Sequence, residues 1–276
     1  MQTFVQRRVI GIFLLIAAIL AVAWGHARLA PVMRHIAYLT GWILLAVCLF
    51  LTAYNARKKL PFLPLGNSRT WLQIHAYVGY LSVALFFAHT GWRWPEGWFE
   101  GILAALYLAV AASGVFGLLW SRVVPRRLTA QGGEVLYERI PTVRRQLAER
   151  AEALALNSVE STQSVAIADF YNHDLAAFFV GPGDLWRHLI DVERPTDRLQ
   201  NRMDDLNRFL TPDQRVVLAQ IAELVRQKDG LDYQHALQLS LRLWLFVHIP
   251  LTYSLLIFTA LHVVLVFGFS AGVGFH

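Results

Sequence analysis

The fold is decided by a charge-free stretch at residues 70–92, which reads TWLQIHAYVGYLSVALFFAHTGW. Its 23 residues include no Asp, Glu, Lys or Arg, and a helix needs about 20 apolar residues to cross the hydrocarbon layer of a bilayer. Four further stretches lack these charged residues in the same way: 9–27, 35–56, 101–121 and 243–276. The sequence therefore predicts an all-α integral membrane protein with a bundle of five transmembrane helices.

Composition and charge agree with this class. The chain has 276 residues, of which 56% are hydrophobic and only 16% are charged, which is too apolar for an ordinary soluble protein. The net charge of +6 does not indicate a nucleic-acid partner, because residues 122–242 carry 16 basic and 17 acidic side chains. The excess lies in short loops, where Lys and Arg set membrane topology.

Three regions follow from these patterns. Residues 1–120 are predicted to form membrane helices 1 to 4, residues 121–242 a soluble helical insert, and residues 243–276 the fifth membrane helix with an outer tail. Helical spacing in the insert predicts helices at 134–156, 164–180, 199–210, 211–227 and from 233 onward. Thr211-Pro212-Asp213 is a typical helix start. We expect the insert to dock a partner or to cap the membrane bundle.

The loop charges predict an orientation. One face carries ten basic residues: Arg7, Arg8, Arg57, Lys58, Lys59, Arg69, Arg122, Arg126, Arg127 and Arg242. The other face carries only Arg28, Arg34 and Arg93. The positive-inside bias places the N-terminus and the insert in the cytoplasm and the C-terminus in the periplasm, with the chain in a cell inner membrane. The first segment also suits a cleaved signal peptide, but we expect an uncleaved anchor.

Two pairs of histidines lie inside the predicted membrane helices. His75 and His89 are 14 residues apart, and so are His248 and His262. Fourteen residues make about 3.9 helical turns, so both imidazoles of a pair project from nearly one face, about 21 Å apart along the axis. Each of the two helices therefore presents one histidine toward each membrane surface.

Parity predicts how these histidines meet. One membrane helix, the fourth, separates the third and fifth helices in the chain, so these two cross the membrane in the same direction. His75 therefore faces His248 near the cytoplasm (the inner pair). His89 then faces His262 near the periplasm (the outer pair). Each pair forms a bis-imidazole site that can hold one haem iron, with ligands from two helices. The single Cys48 excludes a Cys-ligated iron–sulfur cluster and covalent haem attachment through two cysteines.

A plainer interpretation is that the imidazole of each histidine forms hydrogen bonds with a neighbouring helix or reaches the polar membrane interface. The charge-free stretches hold no Asp or Glu to pair with four imidazoles, and unsatisfied polar groups are costly in a dry bundle. The matched spacing therefore favours metal ligation.

With these motifs, His75-x13-His89 and His248-x13-His262, the chain resembles membrane di-haem b-type cytochromes. The groups concerned are the cytochrome b subunit of quinol–cytochrome c oxidoreductases and, more loosely, the ferric-reductase-like transmembrane superfamily. The resemblance covers the helices and not the insert. It implies two non-covalent haems b that carry electrons across the membrane and exchange them with quinone. The chain lacks a second glycine on the third helix and a Pro-Glu-Trp-Tyr-like motif, so the bifurcating quinol mechanism is not predicted.

Further candidate site residues are Arg69, Arg93 and Gly79. Arg69 and Arg93 are suited to the haem propionates, because Arg makes charge-assisted bonds to carboxylates; topology charges explain them equally well. Gly79 can admit the haem face or serve helix packing. Small-residue packing is preferred for Ser113-Gly114-x-x-Gly117. His26 and His35 are expected to be exposed residues of the outer surface.

The sequence thus predicts an electron-transfer subunit of an oxidoreductase complex, working between a quinone pool and a partner redox subunit. Because the chain has no flavin, iron–sulfur or covalent-haem motif, we expect the partner to be a multihaem c-type cytochrome or an iron–sulfur protein. The rival hypothesis is a haem-free membrane anchor or assembly subunit of a larger complex. A transporter with a histidine proton relay fits less well, since the charge-free stretches lack carboxylates.

Overall fold

The computed structural model describes residues 4–33, 35–59, 67–129, 135–162, 165–183 and 195–272. The described residues contain helices and connecting turns and no β-strand. The α-helices are α1 (Phe4–Leu29), α2 (Ile36–Lys59), α3 (Ser68–Thr90), α4 (Trp98–Thr129), α5 (Ile140–Thr162), α6 (Ala166–Phe170), α7 (Ala176–Val180), α8 (Pro195–Asn207) and α9 (Pro212–Gly272). A 3-10 turn at Tyr137–Arg139 precedes α5, and a π-helical turn at Tyr171–Leu175 joins α6 to α7.

Five of the described helices are long and apolar enough to cross a membrane: α1, α2, α3, α4 and α9. Each contains most or all of one predicted charge-free stretch. The predicted helical class is therefore confirmed, and so is the number of helices with membrane-spanning length and composition.

The chain forms two compact units. The first combines Met1–Leu119 with Trp244–His276, and the second is Trp120–Leu243. The chain thus leaves the first unit after Leu119 and returns to it at Trp244. The division into membrane helices and a soluble insert stays a prediction.

The first unit packs around α3. α3 contacts α1 and α2, and a buried cluster of Phe86, Ala104, Tyr107 and Leu255 joins α3 to α4 and α9. The rings of Phe86 and Tyr107 stack with their centres 4.3 Å apart, and the Tyr107 hydroxyl forms a 2.8 Å hydrogen bond with Ser82 Oγ. α3 therefore has neighbours on several sides, and the two histidines that it carries face other helices of the unit.

A capping motif ends α3 one residue after His89. Gly91 and Trp92 both have a positive φ, of 62° and 61°, and the backbone N–H of Trp92 donates to the carbonyl of Phe87 at 3.1 Å. This is the long hydrogen bond of a Schellman motif, and the accompanying apolar contact is present, because the Trp92 and Phe87 rings stack 4.8 Å apart. The motif fixes His89 in the last turn and directs the chain toward Arg93.

The second unit has its own apolar core. It is formed by buried residues of α5 to α9, among them Ile140, Ala151, Leu175, Phe179, Ile221 and Val225. α9 begins at Pro212, as Thr211-Pro212-Asp213 predicts. The Gln214 side chain accepts from the backbone N–H of Thr211 at 3.0 Å, which is the return bond of a capping box.

The predicted break between residues 227 and 233 is wrong. α9 continues without interruption through Gly230, and buried charged groups of the second unit are paired along this stretch. Lys228 and Asp232, with 0% and 1% of their side chains exposed, form an i,i+4 ion pair at 2.5 Å. Arg144 pairs with the other carboxylate oxygen of Asp232 at 3.1 Å. The predicted helices 134–156 and 164–180 begin at residues outside the described ones.

Replacing Asp232 by Ala should unfold the second unit more easily. The change leaves two cations, Lys228 and Arg144, without their buried counter-charge, and a broken buried pair costs about 3–5 kcal/mol. We expect a loss of this size in the free energy of unfolding, measured by urea denaturation of the detergent-solubilised full chain. The matched control is Asp205→Ala, which removes a pair with Arg208 between two exposed side chains and should change little. Equal effects of both changes would contradict this assignment.

Candidate haem-binding site

The outer histidines lie next to each other in the first unit. The imidazole ring centres of His89 on α3 and His262 on α9 are 6.4 Å apart, and the ring planes are nearly perpendicular, at 87°. Sequence spacing and helix parity predict this pair, and the structure brings these two residues together across two helices that are far apart in the chain.

The separation of the two rings suits a shared metal ion. A metal–imidazole nitrogen bond is about 2 Å long and the ring centre lies about 1 Å behind that nitrogen, so imidazoles on opposite sides of one ion have centres about 6 Å apart. The observed 6.4 Å agrees with this value. Perpendicular rings in direct edge-to-face contact also have centres about 4.5–7 Å apart, so the distance fits both a shared ion and a plain ring contact.

A backbone carbonyl fixes the orientation of His89. Nδ1 of His89 lies 3.0 Å from the carbonyl oxygen of Ala37 on α2, and a carbonyl only accepts hydrogen bonds. The proton of a neutral His89 must therefore lie on Nδ1, which leaves the lone pair on Nε2. This is the tautomer that ligates a metal, and the carbonyl is a usual outer partner of a ligating imidazole.

Small residues on α2 make room for this imidazole. Cβ of an alanine at position 41 would lie 2.9 Å from Cε1 of His89, so Gly41 is needed for the close approach of the two helices. Thr40, one residue earlier, has its hydroxyl 3.4 Å from Nδ1 of His89 and 3.1 Å from the Ala37 carbonyl. α2 thus supplies the surface against which His89 rests.

His262 has an unsatisfied ring nitrogen. Its Nδ1 is buried and forms no hydrogen bond with any residue in the described part of the chain. A buried polar atom without a partner costs about 1–3 kcal/mol. Its presence beside a second imidazole, rather than in a packed apolar core, indicates a ligand site more than a structural contact.

Both imidazoles border a cavity of about 550 Å³ within the first unit. This volume lies in the range of small-molecule and cofactor pockets. Most of the lining is apolar and aromatic and comes from α2, α3, α4 and α9, with Trp42, Phe86, Tyr107 and Leu255 among the contributors. Apolar walls with two convergent imidazoles are what a buried non-covalent cofactor requires.

Charged residues line the same cavity. Arg93, predicted to meet haem propionates, is among them, and so are the carboxylates of Glu96 and Glu100. Two carboxylates therefore share the cavity with the outer pair, although neither lies within a charge-free stretch. Glu100 lies in the first turn of α4, one residue before the charge-free stretch 101–121, and the helix brings its side chain back to the cavity.

The inner histidines have different neighbours. The ring of His75 lies 5.1 Å from that of Tyr54 on α2. His248 stacks on Trp244, with ring centres 5.4 Å apart, and its Nδ1 is 2.5 Å from the hydroxyl of Ser113 on α4. These contacts place both residues inside the first unit, and the pairing of His75 with His248 stays a prediction.

The remaining predicted residues are less closely tied to the outer pair. A Cβ at Gly79 would meet nothing within 4 Å, so open space borders this glycine. Arg69 belongs to α3, but its side chain lies outside the described residues. His35 is exposed and packs edge-on against Tyr38, while Nδ1 of His26 is buried and forms no hydrogen bond with any described residue.

The small-residue stripe on α4 meets α9. A Cβ at Gly117 would overlap the indole of Trp244, and one at Gly114 would lie 3.7 Å from Cε1 of His248. Helix packing, which the sequence favours for this stripe, therefore accounts for Gly117. Ser113 has an additional role in contacting His248, which sequence spacing alone does not reveal.

Sequence reasoning missed Ala37, Thr40 and Gly41, which contact or surround His89. The available signal was the succession of small residues Ala37, Thr40 and Gly41 at helical spacing on α2, which lets another helix approach closely. Nothing in the sequence states which histidine this surface receives, because that depends on how α2 and α3 pack.

In the described part of the chain, no three His, Cys, Asp or Glu side chains are grouped as a metal site. A haem iron needs only two protein ligands, since the porphyrin supplies the other four nitrogens. Compared with protein-family models, curated proteins and solved structures, the chain gives no match. The assignment of the site therefore rests on its own geometry and on the spacing of the histidines.

Replacing Gly41 by Ala should destabilise the first unit. The new methyl group would displace the His89 imidazole from the Ala37 carbonyl, and overpacking of this kind costs about 1–3 kcal/mol. We expect a lower midpoint of thermal unfolding for the detergent-solubilised full chain. Gly25→Ala is the matched control, since a Cβ there meets nothing within 4 Å and alanine favours a helix. An unchanged midpoint for Gly41→Ala would contradict the close approach.

Proposed function

We propose that this chain is a multi-pass membrane cytochrome that holds two haems b and transfers electrons between a quinone pool and a partner redox subunit. His89 and His262 would hold the outer haem, and His75 and His248 the inner one. Haem iron supplies a one-electron ferric–ferrous couple when it is bound. The observation that carries the proposal is the meeting of His89 and His262 at a cavity of about 550 Å³.

The residues around the outer pair fit a haem. The Ala37 carbonyl holds the proton of His89 on Nδ1 and so keeps Nε2 available as a ligand. Arg93 lines the cavity and offers a guanidinium for the propionate carboxylates. Buried apolar side chains such as Phe86 and Leu255 line the cavity, and burial of a haem against them would tune its reduction potential.

The inner pair has weaker support. His75 and His248 repeat the 14-residue spacing of His89 and His262 on the same two helices, so the geometry that brings the outer pair together favours a second site. His75 and His248 would hold the inner haem as His89 and His262 would hold the outer one, and each haem would supply one-electron transfer and not substrate binding. Chemistry would then take place at a quinone pocket beside a haem or in the partner subunit.

The location and the partner follow from the sequence. Loop charges favour a cell inner membrane, with the N-terminus and the residues 121–242 in the cytoplasm. Because no flavin, iron–sulfur or covalent-haem motif occurs in the sequence, we propose a multihaem c-type cytochrome or an iron–sulfur protein as the partner. The chain would act as the electron-transfer subunit of an oxidoreductase complex.

Haem content tests the proposal. The purified full chain, expressed with adequate haem supply, should give two haems b per chain in a pyridine haemochrome assay, with an absorbance change on reduction by dithionite. His89→Ala or His262→Ala should remove one haem, and His75→Ala or His248→Ala the other. His173→Ala, at an exposed histidine of the second unit, is the matched control and should keep both. A colourless protein, or full haem content in all four variants, would favour the haem-free membrane anchor.

A further inference from the structure

The hydroxyl of Ser113 lies between a backbone carbonyl and an imidazole. Ser113 Oγ is 3.2 Å from the carbonyl oxygen of Val110, one turn earlier on α4, and 2.5 Å from Nδ1 of His248 on α9. A serine hydroxyl has one proton to donate and lone pairs to accept with. The two contacts together therefore limit where the protons lie.

The proton count favours one tautomer of His248. The Val110 carbonyl only accepts, so its hydrogen bond uses the Ser113 proton. The bond between Ser113 and His248 then needs a proton on Nδ1 of His248, with the hydroxyl oxygen as acceptor. Nε2 keeps its lone pair and is the nitrogen available to a metal.

The surroundings hold this arrangement in place. The indole N–H of Trp244 donates to the backbone carbonyl of Ser113 at 2.8 Å, and the indole ring stacks on the His248 imidazole. A Cβ at Gly114 would lie 3.7 Å from Cε1 of His248, so α4 packs close to the ring there. The imidazole thus has little freedom to turn away from the hydroxyl.

His89 offers a parallel on another helix. Its Nδ1 faces the Ala37 carbonyl at 3.0 Å, which requires the same tautomer by the same reasoning. Two of the four membrane histidines therefore present Nε2 as the free nitrogen, although one uses a carbonyl on α2 and the other a hydroxyl on α4.

We propose that Ser113 is a positioning residue for His248, which fixes its Nδ1–H tautomer and increases the electron donation of the ring to a haem iron. The inference rests on the proposed function. A hydrogen bond from the Nδ1–H of a ligating imidazole makes the ligand more basic, which stabilises ferric iron and lowers the reduction potential of that haem.

Redox titration of the full-length haem protein tests this role. Ser113→Ala should favour reduction of one haem about tenfold, which for a one-electron couple is a shift of about 59 mV to a more positive midpoint. Ser113→Thr keeps the hydroxyl and should stay near the original midpoint. The haem that shifts should be the one lost in His248→Ala.

A neighbouring hydroxyl provides the matched control. The Thr252 hydroxyl donates to the backbone carbonyl of His248 at 2.8 Å and does not contact its ring nitrogen in the described structure. Thr252→Val should therefore leave both midpoints in place. An unshifted midpoint in Ser113→Ala, or an equal shift in Thr252→Val, would overturn the role of Ser113.

A second measurement separates this inference from the haem assignment. Nitrogen-15 NMR of histidine-labelled full chain without haem reports the tautomer of His248, assigned by loss of its signals in His248→Gln. The Nδ1–H tautomer, lost or mixed in Ser113→Ala, supports the inference even if the haem assay fails. An Nε2–H tautomer in the unsubstituted chain overturns it, whatever the haem content.

Discussion

An imidazole inside an apolar helix bundle needs partners for two ring nitrogens, and this constraint governs the first unit. The backbone carbonyl of Ala37 supplies one partner for His89, and the Ser113 hydroxyl supplies one for His248. In each case a neighbouring helix supplies the hydrogen-bond partner of Nδ1, while the lone pair of Nε2 stays available to a ligand. Close helix packing at Gly41 makes the first of these contacts possible. The packing of the helices therefore decides which hydrogen-bond partners the histidines have.

The two ends of the histidine-bearing helices are built differently. At the outer end, the Schellman motif after Thr90 ends α3, and Arg93, Glu96 and Glu100 line the cavity beside the two imidazoles. At the other end, aromatic rings cover the histidines, with Tyr54 beside His75 and Trp244 beside His248. The outer cavity thus combines charged with aromatic and apolar lining residues, whereas the described contacts of the inner histidines are with aromatic rings and the Ser113 hydroxyl.

The carboxylates at the outer cavity alter the comparison between the hypotheses. A histidine proton relay is disfavoured by an absence of carboxylates, and Glu96 and Glu100 remove that objection at one end of the bundle. Two observations still favour a haem there: the 6.4 Å separation of the rings and a cavity whose walls are mostly apolar. A relay would place the imidazoles in a chain of hydrogen bonds, whereas the buried Nδ1 of His262 forms none with the described residues.

The sequence alone determined the helical class and the five apolar helices, and its matched histidine spacing predicted that His89 and His262 lie near each other. These features depend on hydrophobicity and on the fixed rise and period of a helix, which are local properties of the chain. Only the tertiary structure decided that the Ala37 carbonyl and Ser113 serve the imidazoles, that Glu100 reaches the outer cavity, and that α9 continues past Gly230. A backbone carbonyl is present at every residue, and a serine or a glutamate has many possible partners, so their roles depend on which helix packs against them. The pairing of Asp232 with Arg144, 88 residues away, is likewise a tertiary contact that local helix propensity does not reveal.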